Sequence, residues 1–181
     1  MLSTPTILLA LAATAAAIDI RAYGTTTCKG AYVSCKGASP DKCCSFGGAK
    51  MSSVKWEFIP TSWDIKCSVY KGGSGTNYCS NAARDPAASK GKTSVCLGAG
   101  NPYKGAKYVF ASKKRGQGEI EELPAAEDEE CQRANTLTLE DGSTFDLTDL
   151  DEPAFQKMIG VHASSVSDIP DEFLQYVSWA A

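Results

Sequence analysis

The sequence predicts a mainly β protein: a sandwich of two related four-strand units, followed by a small C-terminal hairpin-plus-helix appendage. Three observations carry this prediction. Between residues 18 and 112, short runs rich in Val, Tyr, Ile and Thr (IDIRAY, AYVSC, SVKWEFI, DIKCSVY, KYVFA) alternate with Gly, Ser, Asn and Pro clusters, and helix-length periodicity is absent. The two halves of that stretch correspond: Cys44 precedes Trp56 by twelve residues, and Cys96 precedes Tyr108 by the same twelve. Beyond Cys131, NTLTL and STFDL flank the turn sequence EDG.

Residues 1–17, MLSTPTILLALAATAAA, have a short apolar centre and end in Ala15, Ala16 and Ala17. This is the build of a secretory signal peptide cleaved after Ala17, although its first residues lack Lys or Arg. The run is too short to span a bilayer comfortably, and no other stretch is apolar enough to try.

The first unit should contain strands near residues 18–23, 31–35, 41–45 and 53–59. The second should contain strands near 64–70, 77–80, 93–97 and 106–111. In the register of the repeat, Gly48 faces Gly100, Lys55 faces Lys107, and Phe58 faces Phe110. Trp56, Phe58, Tyr108 and Phe110 then fall at period two and should point into the core. Trp63 and Tyr103 stand beside Pro60 and Pro102 in turn-like segments, so they are the expected exposed aromatics for partner binding.

Eight cysteines follow the signal: Cys28, Cys35, Cys43, Cys44, Cys67, Cys79, Cys96 and Cys131. An even number in a secreted chain implies four disulfides, with 105 possible connectivities. A zinc site is disfavoured, because no C-x-x-C occurs and His162 is the only histidine. Adjacent Cys43 and Cys44 should bridge to different partners, since neighbouring side chains on a strand diverge.

Charge divides the chain. Residues 18–118 carry sixteen Lys and Arg against five Asp and Glu, a net +11; residues 119–181 carry two against sixteen, a net −14. The change falls in SKKRGQGEIEE, within a charged connecting loop predicted over residues 113–130. Lys114 and Arg115 there also form a paired-basic signal for processing after Arg115. Opposite charges should attract the segment 131–181 to the body at short range.

That C-terminal segment has the pattern of folded chain. Asp141–Gly142 supplies a hairpin turn. Asp149 or Asp151 can cap a short helix running through Met158, with Pro153 in its first turn and Gly160 just past its end. A second short helix could begin near Pro170 and present Phe173, Leu174 and Val177 on one face. The body holds seven cysteines, so Cys131 is expected to bridge back to it, with Cys43 or Cys44 as partner.

Tyr23, four residues, Cys28, Lys29 and Gly30 resemble the Greek-key signature of βγ-crystallins: an aromatic, four residues, a second aromatic, one residue, glycine. The glycine there takes a positive φ in a folded hairpin and the first aromatic packs over it. Cys28 departs from the pattern at the second aromatic place. In the second unit Tyr70 is retained, but Gly75 and Asn77 replace the later residues. The mature chain also resembles small cysteine-rich secreted proteins of basidiomycete fungi, through its Cys43–Cys44 doublet, IPTSWDIKC over 59–67, and LTLEDGSTFDLTDLDEP. These resemblances imply a βγ-crystallin-like body over 18–112 with an appended segment over 131–181, and they bring no assigned activity.

The chemistry points away from an enzyme. One histidine, and cysteines expected in bridges, leave little support for a Ser-His-Asp or Cys-His site. The carboxylates at 127–130 lie in a charge run with no apolar surroundings, unlike a glycosidase pair. The calcium loops of some βγ-crystallins are poorly matched: Gly48 and Ala49 accompany Ser52 and Ser53, while Gly100, Lys104 and Gly105 accompany Asn101. Basic residues are scattered through the body, which gives no nucleic-acid motif. No metal, cofactor or nucleic-acid partner is expected. The expectation is a monomeric, non-enzymatic secreted protein that binds an extracellular protein, cell-wall or membrane target as an effector, toxin or inhibitor. The alternative is a latent basic antifungal or killer-toxin-like protein masked by its acidic C-terminal segment and processed after Arg115.

Overall fold

The computed structural model describes residues 17–72, 78–80, 83–111, 131–161 and 163–178. The chain is mainly β and its two sheets are built almost wholly of antiparallel pairs. The first unit supplies β1 (Ile18–Tyr23), β2 (Tyr32–Ala38), β3 (Cys44–Ser45) and β4 (Met51–Glu57). The second supplies β5 (Ile65–Tyr70), β6 (Arg84–Ala88), β7 (Val95–Tyr103) and β8 (Gly105–Phe110). After residue 130 come β9 (Gln132–Arg133), β10 (Thr136–Thr138), β11 (Thr144–Asp146), α1 (Glu152–Ile159), 3₁₀ turns at Val166–Asp168 and Asp171–Tyr176, and β12 (Val177–Ser178).

One sheet runs β12-β11-β10-β2-β1-β4-β7 and the other β6-β5-β8-β3-β9. Each unit therefore keeps three strands together and sends its third to the other unit's sheet. β3 pairs with β8, and β7 pairs with β4. The Cys35–Cys44 disulfide ties β2 in the first sheet to β3 in the second.

Alternation explains the core between the sheets. Ile18, Ile20 and Ala22 of β1, Val54 and Trp56 of β4, Ile65, Cys67 and Val69 of β5, and Ala106 and Tyr108 of β8 are all buried. Trp56 and Tyr108, which match in the repeat, are both fully buried. The Tyr108 hydroxyl also donates to Ala38 O at 3.0 Å, satisfying its polar end.

Two sequence expectations about strands are corrected. The sixth strand, expected near 77–80, lies at Arg84–Ala88, and Tyr78–Cys79 form a turn. Pro86 within it argues against a central strand, and β6 does lie at the edge of its sheet, where a missing N–H is tolerated. β7 extends past the expected residue 97 to Tyr103. Between the pairs Ser53↔Gly98 and Met51↔Tyr103, two steps along β4 face five along β7, so the intervening residues bulge.

The hairpin joining β1 and β2 folds back over the first sheet. Its backbone takes positive φ at Cys28 (54°) and Gly30 (94°). Ser53 on β4 clasps it: the Ser53 hydroxyl donates to Thr25 O at 2.6 Å and accepts from Cys28 N at 3.0 Å. The Cys28–Cys96 disulfide adds a covalent tie to β7. Gly98 is required for this approach, because a Cβ there would sit 2.0 Å from Thr26 O.

The C-terminal segment enters both sheets. β9 pairs in parallel with β3, and β10 pairs with β2 through Thr136↔Ser34, Leu137↔Val33 and Thr138↔Tyr32. Leu137, Phe145, Leu147, Phe155 and Met158 join the common core. Asp151, one of the two expected caps, accepts Ala154 N at 2.8 Å and begins α1; Gly160 ends it. The second helix is a 3₁₀ turn, with Phe173 buried and Leu174 exposed. Its ion pairs, Arg133–Glu152 and Lys157–Glu172, lie within the segment. Strand pairing and apolar burial thus account for its docking, with Lys36 near Asp146 as one charge contact to the body.

Candidate functional site

The outer face of the first sheet carries a polar and aromatic row. Asp19, Arg21 and Tyr23 alternate with the inward Ile18, Ile20 and Ala22, and β4 places Lys55 and Glu57 opposite Arg21 and Asp19. Arg21 and Lys55 both pair with Glu57. The Arg21 guanidinium lies 4.8 Å from the Tyr32 ring centre and 5.2 Å from that of Phe58. Tyr32 and Tyr23 are neighbours across the β1–β2 pair, with ring centres 5.2 Å apart. Burial pushes the Tyr23 phenol up to about 12.

Phe58 stands at the end of this row. It is 61 % exposed and holds φ at +62°, a conformation that costs a side-chain-bearing residue energy. The expectation that it points inward is overturned, because the left-handed turn after β4 ends the alternation. Phe110 is likewise 48 % exposed. It continues the inward face of β8 past the end of the core, where its ring meets Trp63 at 4.9 Å and Tyr108 at 6.4 Å.

The two aromatics expected to be exposed fare differently. Trp63 is half-buried against Phe110. Tyr103 is fully buried: the β7 bulge carries the chain past Pro102 and returns Tyr103 to the sheet opposite Met51. Tyr70 of the weaker signature is also buried, at the end of β5 opposite Gly105. Among the described residues the exposed aromatics are thus Phe58 and Phe110, and the residues that follow them gave the available hint. Ile59–Pro60 follow Phe58, and Ala111 with a polar run follows Phe110.

The cysteines form Cys28–Cys96, Cys35–Cys44 and Cys43–Cys79. Cys43 and Cys44 take different partners, as adjacent strand positions should. The expectation that all eight enter bridges is corrected. Cys67 is a free, fully buried thiol on β5, and burial pushes it up to about 12. Cys131 bridges to neither Cys43 nor Cys44, but its Sγ belongs to a group with those of Cys43 and Cys79 in which all lie within 4.8 Å of one another.

Two of the calcium-loop positions make structural contacts. Ser53 clasps the hairpin, and Gly48 N donates to the Gln156 side chain of α1 at 3.3 Å. Ala17 directly precedes β1. Met1–Ala16, the loop 113–130 with Lys114 and Arg115, Gly75, Asn77 and His162 lie outside the described residues.

No helix among the described residues is long and apolar enough to cross a membrane. No curated protein and no solved structure matches the chain. A family model described as ARB_05566_N, N-terminal domain, matches residues 19–135, which span both four-strand units and β9 and stop before β10. On that match, over more than half its length, the chain belongs to the ARB_05566_N family.

Proposed function

We propose that this protein is a secreted, non-enzymatic binding protein with a βγ-crystallin-like Greek-key body, of the effector, toxin or inhibitor type. The reciprocal exchange of third strands, the folded hairpin and the positive φ of Gly30 support the crystallin-like assignment. Three disulfides favour an oxidising, extracellular compartment. The observation that carries the binding role is Phe58. An exposed aromatic held at positive φ and backed by the Arg21 guanidinium is costly to maintain without a contact to make. Phe110 on Trp63 offers a second aromatic contact. The target is an extracellular protein, a cell wall or a membrane surface, and the monomer presents these aromatics.

The alternative, a latent toxin masked by residues 131–181, fits the +11 and −14 charge division. It fits less well with a segment that supplies strands to both sheets and side chains to the core.

The test is affinity capture from the fluid in which the protein is secreted, with wild type beside Phe58→Ser and Phe110→Ser. Loss of an aromatic anchor of this kind typically costs at least about 2 kcal/mol, or about thirtyfold in Kd. A partner held equally by wild type and both variants, all folded, would refute this surface as the contact. Turnover of a cell-wall polysaccharide would refute the non-enzymatic reading.

A further inference from the structure

The Sγ atoms of Cys43, Cys79 and Cys131 lie within 4.8 Å of one another, and two of them already form a bond. Two separate features of the fold bring the third to them. Cys43 directly precedes β3 and Cys131 directly precedes β9, and these strands run parallel with Cys44 opposite Gln132. Gln132 N donates to Cys43 O at 2.8 Å, fixing that register. From the other side, Gly105 at the start of β8 packs closely against the turn that carries Cys79: a Cβ there would lie 3.1 Å from Cys79 Sγ and 3.2 Å from Tyr78 O. Cys43 is buried, whereas Cys79 and Cys131 are partly exposed. Lys107, paired with Asp41 at 2.9 Å, is the cation in electrostatic contact with Cys131.

We infer that Cys43 is a shared sulfur whose bridge passes between Cys79 and Cys131 by internal thiol–disulfide exchange. Cys131 gives up its proton to solvent, and the thiolate attacks Cys43 Sγ. The Cys43–Cys131 bond forms as the Cys43–Cys79 bond breaks, and Cys79 leaves as a thiolate that takes up a proton. One disulfide and one thiol stand on each side, so no oxidant or reductant is consumed. The exchange moves a covalent tie from the turn after β5 to the start of β9. In the new isomer, the C-terminal segment is bonded to the body as well as packed on it. Cys67 stays outside this chemistry, being fully buried on β5.

Trypsin makes the two isomers separable. Cys43 and Cys44 remain together on peptide 43–50, joined through Cys44 to the Cys35 peptide 30–36. The third chain is then either peptide 72–84, carrying Cys79, or peptide 116–133, carrying Cys131. Protein incubated at about pH 8, where thiolate attack is faster, is quenched in acid, alkylated and digested without reduction. The inference expects both three-chain species, with alkyl label appearing on Cys79 as it falls on Cys131, at a rate independent of protein concentration. Cys79→Ser, oxidised in the secretory compartment as it folds, should carry only the Cys43–Cys131 species, and Cys131→Ser should show only Cys43–Cys79. A wild type that holds only peptide 72–84 at all times, together with a folded Cys79→Ser in which Cys43 and Cys131 both alkylate, would overturn it. A Cys79–Cys131 linkage would overturn the assignment of Cys43 as the attacked sulfur.

Discussion

Arg133 organises the C-terminal segment, and replacing it gives the most detailed prediction. From β9 its guanidinium donates to three main-chain oxygens of the turn before α1: Leu150 O at 2.5 Å, Leu147 O at 3.3 Å and Thr148 O at 3.4 Å. It also pairs with Glu152 at 3.4 Å and lies 4.5 Å from the Phe155 ring centre. The short bond to Leu150 dominates, at about 1.5–3 kcal/mol for a charged donor. The longer bonds and the exposed ion pair together add less than about 1 kcal/mol. The ring contact adds about 0.5–1 kcal/mol. Arg133→Ala should therefore cost about 2–5 kcal/mol, a fall in Tm of about 4–20 °C. Arg133→Lys should recover less than half, because one ammonium cannot reach the same fan of carbonyls. Denaturant unfolding measures the loss, and amide hydrogen exchange should show faster opening of α1. A change below about 0.5 kcal/mol, or full rescue by lysine, would refute this account of the turn.

Three further outcomes follow from single contacts. Gly98→Ala should destabilise by more than about 2 kcal/mol in thermal unfolding, since its Cβ meets the Thr26 carbonyl at 2.0 Å; near-wild-type stability would mean that the hairpin does not rest on β7. Cys67 should resist alkylation in the folded protein, and Cys67→Ser should cost about 1–3 kcal/mol more than Cys67→Ala by burying a hydroxyl; rapid labelling of Cys67 would contradict its place in the core. Asp141 and Asp168 are held below the ordinary carboxylate range by hydrogen bonds, first from Ser143 and from Ser165 respectively. Because their folded values are depressed, their contribution is present above the unfolded value of about 3.9 and is lost as pH falls through the lower folded value. NMR titration should place both midpoints below the free-Asp value, and midpoints at or above it would contradict these bonds.

The repeat carried much of the fold into view. The spacing of twelve residues from Cys44 to Trp56 and from Cys96 to Tyr108 placed both aromatics on inward strand faces, and both are buried. The Asp151 cap, Pro153 and Gly160 located α1 for the same local reason: helix ends are written in single residues. What depends on long-range pairing was not legible. Nothing near Cys44 or Val95 states that β3 and β7 change sheets, and nothing near Thr136 states that β10 continues the sheet beside β2. The aromatic site failed for a related reason. Period-two reasoning assigns Phe58 and Phe110 inward, but it cannot see where a strand outruns its opposing sheet or where φ turns positive. Pro102 marks Tyr103 as a turn residue, whereas a bulge returns it to the core. Counting cysteines in pairs likewise could not reveal that Cys67 is a buried core thiol outside any bridge.

The central claim is that residues 131–178 are part of one body rather than a cover to be shed. The sequence offers a direct test at Lys113-Lys114-Arg115, between β8 and β9. The secreted protein is cut there by a protease specific for paired basic residues, treated with a mild reductant so that no exchanged disulfide can join the pieces, and passed over a sizing column at physiological and at high salt. If β9, β10 and the buried Leu137, Phe145 and Phe155 hold the segment, both fragments elute together at both salt concentrations. Separate elution of an intact, folded body, especially one that appears only at high salt, would contradict the account and favour an electrostatic mask.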